Sequence, residues 1–340
     1  MRAENPAIMP PAPQVHPKDL PSLKLLMTSI RNSLAIWPDY AFDVPFSRNR
    51  LFGLETVLIN DPAGVRHMLT TNAANYVRPA MMPRIMQPVL GQGLLLSEGG
   101  EWRRQRRMLS PAFTPNNVNI LLPHLIAAAN DLVRQLGSQP HADLSDAFQS
   151  AALNAVLRAL FSLPGELERS QRGHSAVQYI NGPGRPQVFD GFAKSANSFP
   201  ITLGPRRAFQ KRWFAAVDAV VSERRRAPRD AGHRDLLDLL IAARDPESGH
   251  PLSAGEVRDQ CATMIFAGYE TTARLMFWAT YLITLDQDEQ TRLRAEVNAF
   301  PPENIATLDD LGHWPRLRRV LLEALRLYPP VPLLVREPLA

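Results

Sequence analysis

The longest apolar pattern in the chain lies at residues 253–285, SAGEVRDQCATMIFAGYETTARLMFWATYLITL. Ser253 followed three residues later by Glu256 is a capping-box signature, in which each side chain accepts a hydrogen bond from a backbone N–H of the other residue. Because no proline follows before Pro301, the pattern predicts one helix of roughly thirty residues, about 45–50 Å long. Apolar side chains occupy nearly every face, which indicates a buried helix that crosses a large domain.

A membrane span is the competing interpretation of this helix. Glu270 and Arg274 divide the apolar run into two segments, and each is too short to cross a bilayer. We therefore expect no membrane span here.

The polar centre of the helix, residues 267–272, reads AGYETT. A glycine inside a helix costs about 1 kcal/mol against alanine, so Gly268 predicts that something approaches the backbone closely. Thr271 is expected to donate a hydrogen bond to the carbonyl of Ala267, which tends to bend a helix. Glu270 supplies a carboxylate able to relay protons. A kinked helix with a solvent-facing glutamate explains the same residues, and both interpretations stay open on these residues alone.

Two further pairs of side chains have helical spacing. Trp102 and Arg106, at i,i+4 on a predicted short helix, offer an indole N–H and a guanidinium to an anionic group. Glu323 and Arg326, at i,i+3 on a later predicted helix, are close enough to form an ion pair. The alternatives are an ordinary arginine-rich solvated face for the first pair and an ordinary surface ion pair for the second.

The rest of the chain predicts a mainly α fold with a small β portion. A strand is expected at 51–60, followed by a helix that begins at Asp61-Pro62, and proline and glycine predict a mobile loop at 78–93 and a flexible connection at 175–205. Residues 1–21 form a proline-rich segment, and 22–340 are assigned to a single domain. Helices are predicted near 63–69, 101–109, 117–137, 142–162, 206–227, 234–243 and 316–328, and strand-like residues at 331–339.

Charge gives little indication of a polyanionic partner, because 38 Lys and Arg face 33 Asp and Glu. A basic helical protein for nucleic acid or acidic lipid would rest on Arg103, Arg104, Arg106, Arg107 and residues 224–226. Apolar stripes explain those helices better and no base-stacking aromatic pattern accompanies the arginines, so we expect no nucleic-acid partner.

Cys261 is the single cysteine. It excludes an intramolecular disulfide framework and a multi-cysteine zinc site, which suits a reducing compartment. The first residues contain no apolar signal core, and we therefore expect a cytoplasmic protein.

Taken in order, these motifs resemble the cytochrome P450 family of haem-thiolate monooxygenases. Trp102 and Arg106 match its early Trp-x-x-x-Arg, residues 267–272 match its Ala/Gly-Gly-x-Asp/Glu-Thr-Thr/Ser, and Glu323 with Arg326 match its Glu-x-x-Arg. Tyr328-Pro329-Pro330 closes the late helix as in the family. The resemblance covers nearly the whole chain.

The resemblance implies an α-rich fold around heme b, with Ala267 and Gly268 against the distal face of the haem and dioxygen beside them. Thr271 would hydrogen-bond the bound oxygen, and Glu270 would help to deliver the protons for hydroxylation of a small organic substrate. Trp102 and Arg106 would hold one haem propionate and Arg336 the other, while Glu323 and Arg326 would form a structural ion pair.

The same resemblance implies partners. An electron donor of ferredoxin or flavin reductase type is expected, steered by Arg103, Arg104 and Arg107 facing outward. Substrate contacts are expected from 78–96, 175–205, 331–335, Phe266 and Tyr269.

One part of the family pattern is missing. The iron ligand of the family is a cysteine in a loop after Glu-x-x-Arg, and Ala340 precedes any such loop. Cys261 cannot replace it, because it lies on the central helix roughly 15 Å before Thr271. We therefore expect a truncated chain, inactive as it stands, with the thiolate ligand beyond Ala340. The alternative is a degenerate non-catalytic relative that acts as a ligand-binding or interaction protein.

Overall fold

The computed structural model describes residues 34–51, 54–138, 141–162, 203–226 and 235–339, together with isolated positions in 10–32 and 182–198. The fold is mainly helical with two small antiparallel sheets, as expected. The helices are α1 Tyr40–Asp43, α2 Pro62–Arg66, α3 Met81–Leu90, α4 Gly99–Leu109, α5 Pro115–Gly137, α6 Leu144–Phe161, α7 Gly204–Arg226, α8 Leu236–Ala242, α9 Ala254–Thr284, α10 Gln287–Ala299 and α11 Pro315–Leu327. The strands are β1 Phe46–Leu51, β2 Leu54–Ile59, β3 Tyr76–Val77 and β4 Glu337–Pro338.

The central helix α9 runs for 31 residues. Its predicted capping box is confirmed: the backbone N–H of Ser253 donates to Glu256 Oε2 at 2.8 Å, and that of Glu256 donates to Ser253 Oγ at 3.2 Å. Helices α6 and α7 pack along α9, and buried Leu157, Val257 and Ile265 belong to their shared core. Among the described helices, none combines the length and the apolarity that a bilayer crossing requires.

The expected mobile loop at 78–93 is wrong for most of its length, because α3 occupies Met81–Leu90. Pro83 lies in the first turn of α3, where a missing backbone N–H costs no hydrogen bond. Pro88 lies inside the helix, and tertiary contacts outweigh its cost. Leu90 is fully buried, and the indole of Trp213 donates to the carbonyl of Val89 at 2.8 Å.

The short connection after α3 is fastened to α9. The backbone N–H of Gln92 donates to Asp259 Oδ2 at 2.8 Å, and that of Leu94 donates to Gln260 Oε1 at 3.0 Å. Gly91 has φ +62°, a left-handed conformation that favours glycine, and a Cβ at this position would collide with the Asp259 carboxylate.

The predicted strand at 51–60 is β2, and sequence reasoning missed its partner β1. The two strands form an antiparallel hairpin that pairs Phe46 with Ile59. The polar run at 47–50 hid β1 from the sequence pattern. The predicted helix start is confirmed, since the backbone N–H of Gly64 donates to Asp61 Oδ2 at 2.7 Å. A π-helical segment at His67–Thr71 continues α2 directly, so the predicted range 63–69 is helical throughout.

The later helices lie close to their predicted positions. The predictions near 117–137, 142–162, 206–227, 234–243 and 316–328 correspond to α5, α6, α7, α8 and α11. At 331–339 only β4 is a strand, and it pairs with β3. Most of the predicted connection at 175–205 lies outside the described residues.

The chain divides into two compact units. One unit comprises Met1–Ile85, Pro186–Phe199 and Pro332–Ala340, and the other Met86–Arg185 and Pro200–Val331. In the first unit, Arg84 Nε donates to Asp190 Oδ1 at 2.6 Å, and both side chains are fully buried. The assignment of 22–340 to a single domain stays a prediction.

Replacement of Gly91 by alanine should lower the unfolding midpoint in urea. The left-handed backbone alone costs a side chain about 1–2 kcal/mol, and the collision with Asp259 adds to this. Gly100→Ala is the matched control, because open space surrounds Gly100 inside α4 and alanine favours a helix. Equal midpoints for the two variants would contradict the account of Gly91.

Candidate functional site

One stripe of α9 is covered at both ends and open between them. Gln260, Ala267, Thr271 and Trp278 lie on this stripe, because their separations are close to multiples of 3.6 residues. At one end Gln260 Nε2 donates to Gln105 Oε1 of α4 at 2.7 Å, and both side chains are buried. At the other end Trp278 stacks on Tyr328, with ring centroids 3.8 Å apart and planes inclined by 8°.

Between these two contacts the stripe faces outward. Ala267 is exposed and Thr271 is partly exposed. They lie about 10 and 16 Å beyond Gln260 on a stripe that reaches Trp278 after about 27 Å. We call the part of the stripe at Ala267 and Thr271 the open stretch. It presents one small apolar side chain and one hydroxyl.

The hydroxyl of Thr271 bonds within its own helix. Its Oγ1 donates to the carbonyl of Ala267 at 2.7 Å, as the sequence predicts. A threonine hydroxyl rotates about χ1 and also has acceptor lone pairs. Thr271 can therefore accept a proton or a hydrogen bond from a neighbour while it keeps its own bond, or redirect its donor at the cost of that bond.

Beside the open stretch, Glu270 forms an ion pair. Its Oε1 accepts a hydrogen bond from Arg274 Nε at 2.9 Å. The two side chains are 30% and 50% exposed, so solvent reaches both. Glu270 is thus a charged, water-accessible carboxylate next to Thr271 along the chain.

The close approach expected at Gly268 comes from α6. A Cβ added to Gly268 would lie 2.8 Å from Val156 Cγ2, so the glycine lets the two helices approach each other. The structure therefore explains Gly268 by helix packing, and its assignment as a cofactor contact stays a prediction.

Tyr269 does not suit its expected role as a substrate contact. Its side chain is fully buried in the core and lies about half a turn away from Thr271. Burial, followed by the charge of Glu270, raises the pKa of the phenol above its ordinary value. Phe266 is partly buried and packs against the same core.

Helix α4 presents Trp102 and Arg106 to solvent, Trp102 being 39% exposed. The two side chains share a face, as predicted from their spacing. Within the described parts of the chain, no carboxylate forms an ion pair with Arg106. The indole and the guanidinium are therefore available to an anionic ligand.

The expectation that Arg104 and Arg107 face outward is wrong. Arg104 bridges Glu101 of its own helix and Glu256 of α9. Arg107 Nη2 lies 2.9 Å from an Asp245 oxygen. Arg107 forms a second ion pair with Glu247, through Nη1 at 2.6 Å. Burial opposes ionisation of Asp245, but the hydrogen bonds from Arg107 and other donors outweigh it and lower the pKa of that carboxyl.

The basic run at 224–226 is partly internal as well. Arg224 is buried, and its Nη1 lies 2.7 Å from a carboxylate oxygen of Asp235 and of Asp238. Its Nη2 donates to the carbonyl of Phe161 at 2.8 Å. This arginine joins α6, α7 and α8 and is not a surface charge.

Glu323 and Arg326 form the predicted pair on α11, through two hydrogen bonds of 2.7 and 2.8 Å. The pair lowers the pKa of Glu323 and leaves both side chains more than half exposed. Glu296 of α10 fixes the start of α11 by accepting from the backbone N–H groups of Arg316 and Leu317 at 2.7 and 3.0 Å. Sequence reasoning missed this cap, since nothing local marks a carboxylate from another helix.

Two candidate residues remain, Arg336 and Cys261. Arg336, in the first unit, is partly buried, and its Nη1 donates to the carbonyl of Val335 at 2.8 Å. Cys261 is fully buried, and burial, followed by the charge of Asp235, raises the pKa of its thiol to about 12. A thiol in this environment does not supply a thiolate at neutral pH.

Comparison with known proteins gives one consistent result. The family model described as Cytochrome P450 matches residues 44–340. The chloroplastic protein LUTEIN DEFICIENT 5 of Arabidopsis thaliana is 27% identical over 350 residues, which cover 95% of this chain and 57% of the relative. Cyclooctat-9-en-7-ol 5-monooxygenase of Streptomyces melanosporofaciens is 32% identical over 255 residues, which cover 71% of this chain and 52% of the relative.

A solved structure agrees in fold. The crystal structure of the cytochrome P450DA heme domain superimposes with a TM-score of 0.72 at 22% identity, covering 93% of this chain and 70% of that chain. This chain spans little more than half the length of the two curated relatives, at 57% and 52%.

Gly268→Ala should destabilise the fold unless Val156 is also shortened. Overpacking typically costs about 1–3 kcal/mol, more than the gain of about 1 kcal/mol in helix propensity. Val156→Ala alone leaves a cavity, which the new methyl group at 268 partly fills. The double variant should therefore unfold at a higher urea concentration than the sum of the single effects allows. Additive effects would show that the two positions do not touch.

Proposed function

Because this chain belongs to the cytochrome P450 family, we propose that the whole protein is a haem-dependent monooxygenase. It would insert one oxygen atom of dioxygen into a small organic substrate, using electrons from a redox partner. Membership of the family implies haem as the cofactor. The open stretch of α9 is the observation that carries the proposal for this chain, because it leaves Ala267 exposed and Thr271 partly exposed on a helix that packs against the core through Ile265, Tyr269 and Ala273.

The residues of the open stretch and of α4 fit one side of a haem. A flat apolar ring needs a helix face without bulk, and Ala267 supplies it. Trp102 and Arg106 offer an indole N–H and a guanidinium that suit a propionate carboxylate. For the second propionate, Arg336 stays the predicted partner. On the opposite side of α9, the missing side chain of Gly268 lets α6 approach and support the helix at Val156.

Cys261 does not fit the role of thiolate ligand, since it is buried in the core of α9 with a raised thiol pKa. As this is the only cysteine, we propose that the ligand comes from protein sequence beyond Ala340.

Haem, when bound, supplies the reductive activation of dioxygen, for the overall change R–H + O₂ + 2 e⁻ + 2 H⁺ → R–OH + H₂O. The reaction consumes two protons, which side chains of the protein must pass from solvent to the site. Thr271 is suited to hold a proton at Oγ1, and turning this donor away from Ala267 gives up one hydrogen bond, a net cost of about 0.5–1.5 kcal/mol. Glu270 is suited to bring protons from solvent, because its carboxylate is partly exposed and adjacent to Thr271.

The partners follow from the proposed reaction. The electron donor would be of ferredoxin or flavin reductase type, and a cytoplasmic location stays an expectation. Because Arg104 and Arg107 are paired within the chain, they add less to steering of an acidic donor than their number suggests.

The carbon-monoxide difference spectrum of the reduced protein tests the proposal. The protein expressed from its complete reading frame should show the Soret band of thiolate-ligated haem, because a thiolate shifts that band away from its position with a nitrogen ligand. Expression of residues 1–340 alone is the matched control and should not show it, since Cys261 is buried. A haem-free product of the complete reading frame would refute the proposal and favour a non-catalytic relative.

Thr271→Ala should separate electron use from product formation. Without the hydroxyl, proton delivery loses its last donor, so reduced oxygen should leave as peroxide and the ratio of product to reductant should fall about tenfold or more. Haem content should be unchanged. Thr280→Ala is the control, because Thr280 lies on the same helix about two and a half turns further on and faces the opposite way. Unchanged coupling in Thr271→Ala would remove Thr271 from this role.

A further inference from the structure

Helices α4 and α9 meet through a ladder of polar side chains. Glu101, Arg104 and Gln105 of α4 face Glu256 and Gln260 of α9. Arg104 bridges both glutamates, and Gln260 Nε2 donates to Gln105 Oε1 at 2.7 Å. Gln105 Nε2 in turn donates to Glu101 Oε1 at 2.8 Å. These five side chains, named here the polar ladder, make a continuous chain of hydrogen bonds across the two helices.

Glu256 serves two purposes within the polar ladder. It caps α9 by accepting from the backbone N–H of Ser253, and it also receives the Arg104 guanidinium. Burial raises the pKa of Glu256, but the hydrogen bonds from Ser253 and Arg104 outweigh this and hold it below its ordinary value. Arg104 therefore binds a residue that already has a fixed position at the start of the central helix.

Polar contacts of this kind set register. Apolar side chains slide past one another at little cost. A shift of one turn would instead break the two bonds that cross between the helices, from Arg104 to Glu256 and from Gln260 to Gln105, and the two glutamines, each 1% exposed, would lose this bond where water does not replace it. The ladder consequently fixes where α4 lies along α9 more sharply than packing alone would.

The residues that the ladder locates are Trp102 and Arg106, because Arg104 and Gln105 lie between them on α4. One face of this short helix is held against α9, and a neighbouring face carries the two side chains assigned to a propionate. The distance from these donors to Thr271 is therefore set through Glu256 and Gln260, on the same helix as Thr271.

We propose that Arg104 and Glu256 are positioning residues for the haem, which hold Trp102 and Arg106 in place for a propionate relative to Thr271. This inference rests on the proposed function. It assigns a role to residues outside the sequence motifs: Glu256, which caps α9, would also align α4, the helix that carries the proposed propionate ligands.

Haem release measures this positioning directly. With the haem-loaded protein from the complete reading frame and excess apomyoglobin as the acceptor, Arg104→Met should release haem about tenfold faster, in the range of coupling energies seen for residues of one network. Glu256→Gln keeps a side chain that can cap Ser253 but removes the charge that Arg104 requires. It should accelerate release in the same way.

Two controls separate positioning from charge and from unfolding. Arg103→Met removes the same charge from an exposed neighbour on α4 and should change the rate less than about twofold. If Arg104→Met does not fold, Arg104→Lys replaces it, because lysine keeps the charge but cannot reproduce the guanidinium fork between two carboxylates. It should show a smaller acceleration.

A double-mutant cycle with Arg106→Met decides the mechanism. If Arg104 acts through Arg106 and Trp102, the variant that carries both changes should release haem more slowly than the product of the two single accelerations predicts. Multiplying accelerations would show that Arg104 only stabilises the fold and would overturn the inference, as would an unchanged rate in Arg104→Met. A protein that takes up no haem at all would overturn the proposed function together with this inference, so the two failures are distinguishable.

Discussion

The structure is organised around one long helix, α9, on which Ala267 is exposed between two covered positions, Gln260 and Trp278. Burying apolar surface contributes about 25 cal/mol per Å², so every face of α9 gains by being covered. The stripe is covered at its two ends, by Gln105 on Gln260 and by Tyr328 on Trp278, whereas Ala267 between them is exposed and Thr271 is partly exposed. Helix α4 therefore lies at one end of the stripe and the end of α11 at the other.

The opposite side of α9 is tightly packed. At Gly268 the backbone of α9 comes close enough to α6 for Val156 to occupy the space of a Cβ, and Tyr269 is fully buried beside it. This tight contact supports α9 next to the point where Thr271 donates back to the Ala267 carbonyl, a bond that tends to bend a helix. Packing against α6 therefore holds the polar centre of α9 in place, as the role proposed for Thr271 requires.

The arginines of α4 divide into those paired with carboxylates of the chain and those exposed to solvent. Arg104 and Arg107 are neutralised by carboxylates at the start of α9 and just before it, whereas Arg106 keeps its charge facing outward. Hydrogen bonds to Glu101, followed by those to Glu256, raise the pKa of Arg104 above its ordinary value, so this pairing persists across the physiological range. Fewer exposed positive charges are thus available to an incoming anion than the run of arginines in the sequence suggests.

The features that could be predicted from the sequence are those decided within one or two turns of chain. The Ser253–Glu256 cap and the bond from Thr271 to Ala267 follow from local geometry, and both are present. The helix that approaches Gly268 could not be predicted, because a glycine indicates a close contact but does not identify the contacting element. Helix α3 was missed for a related reason: its prolines argue locally against a helix, and the contacts that outweigh them come from Trp213, far along the chain. A motif can therefore name Thr271 and Arg106 as candidates, whereas their spacing depends on the contacts of Arg104 with Glu256 and of Gln105 with Gln260, which only the fold reveals.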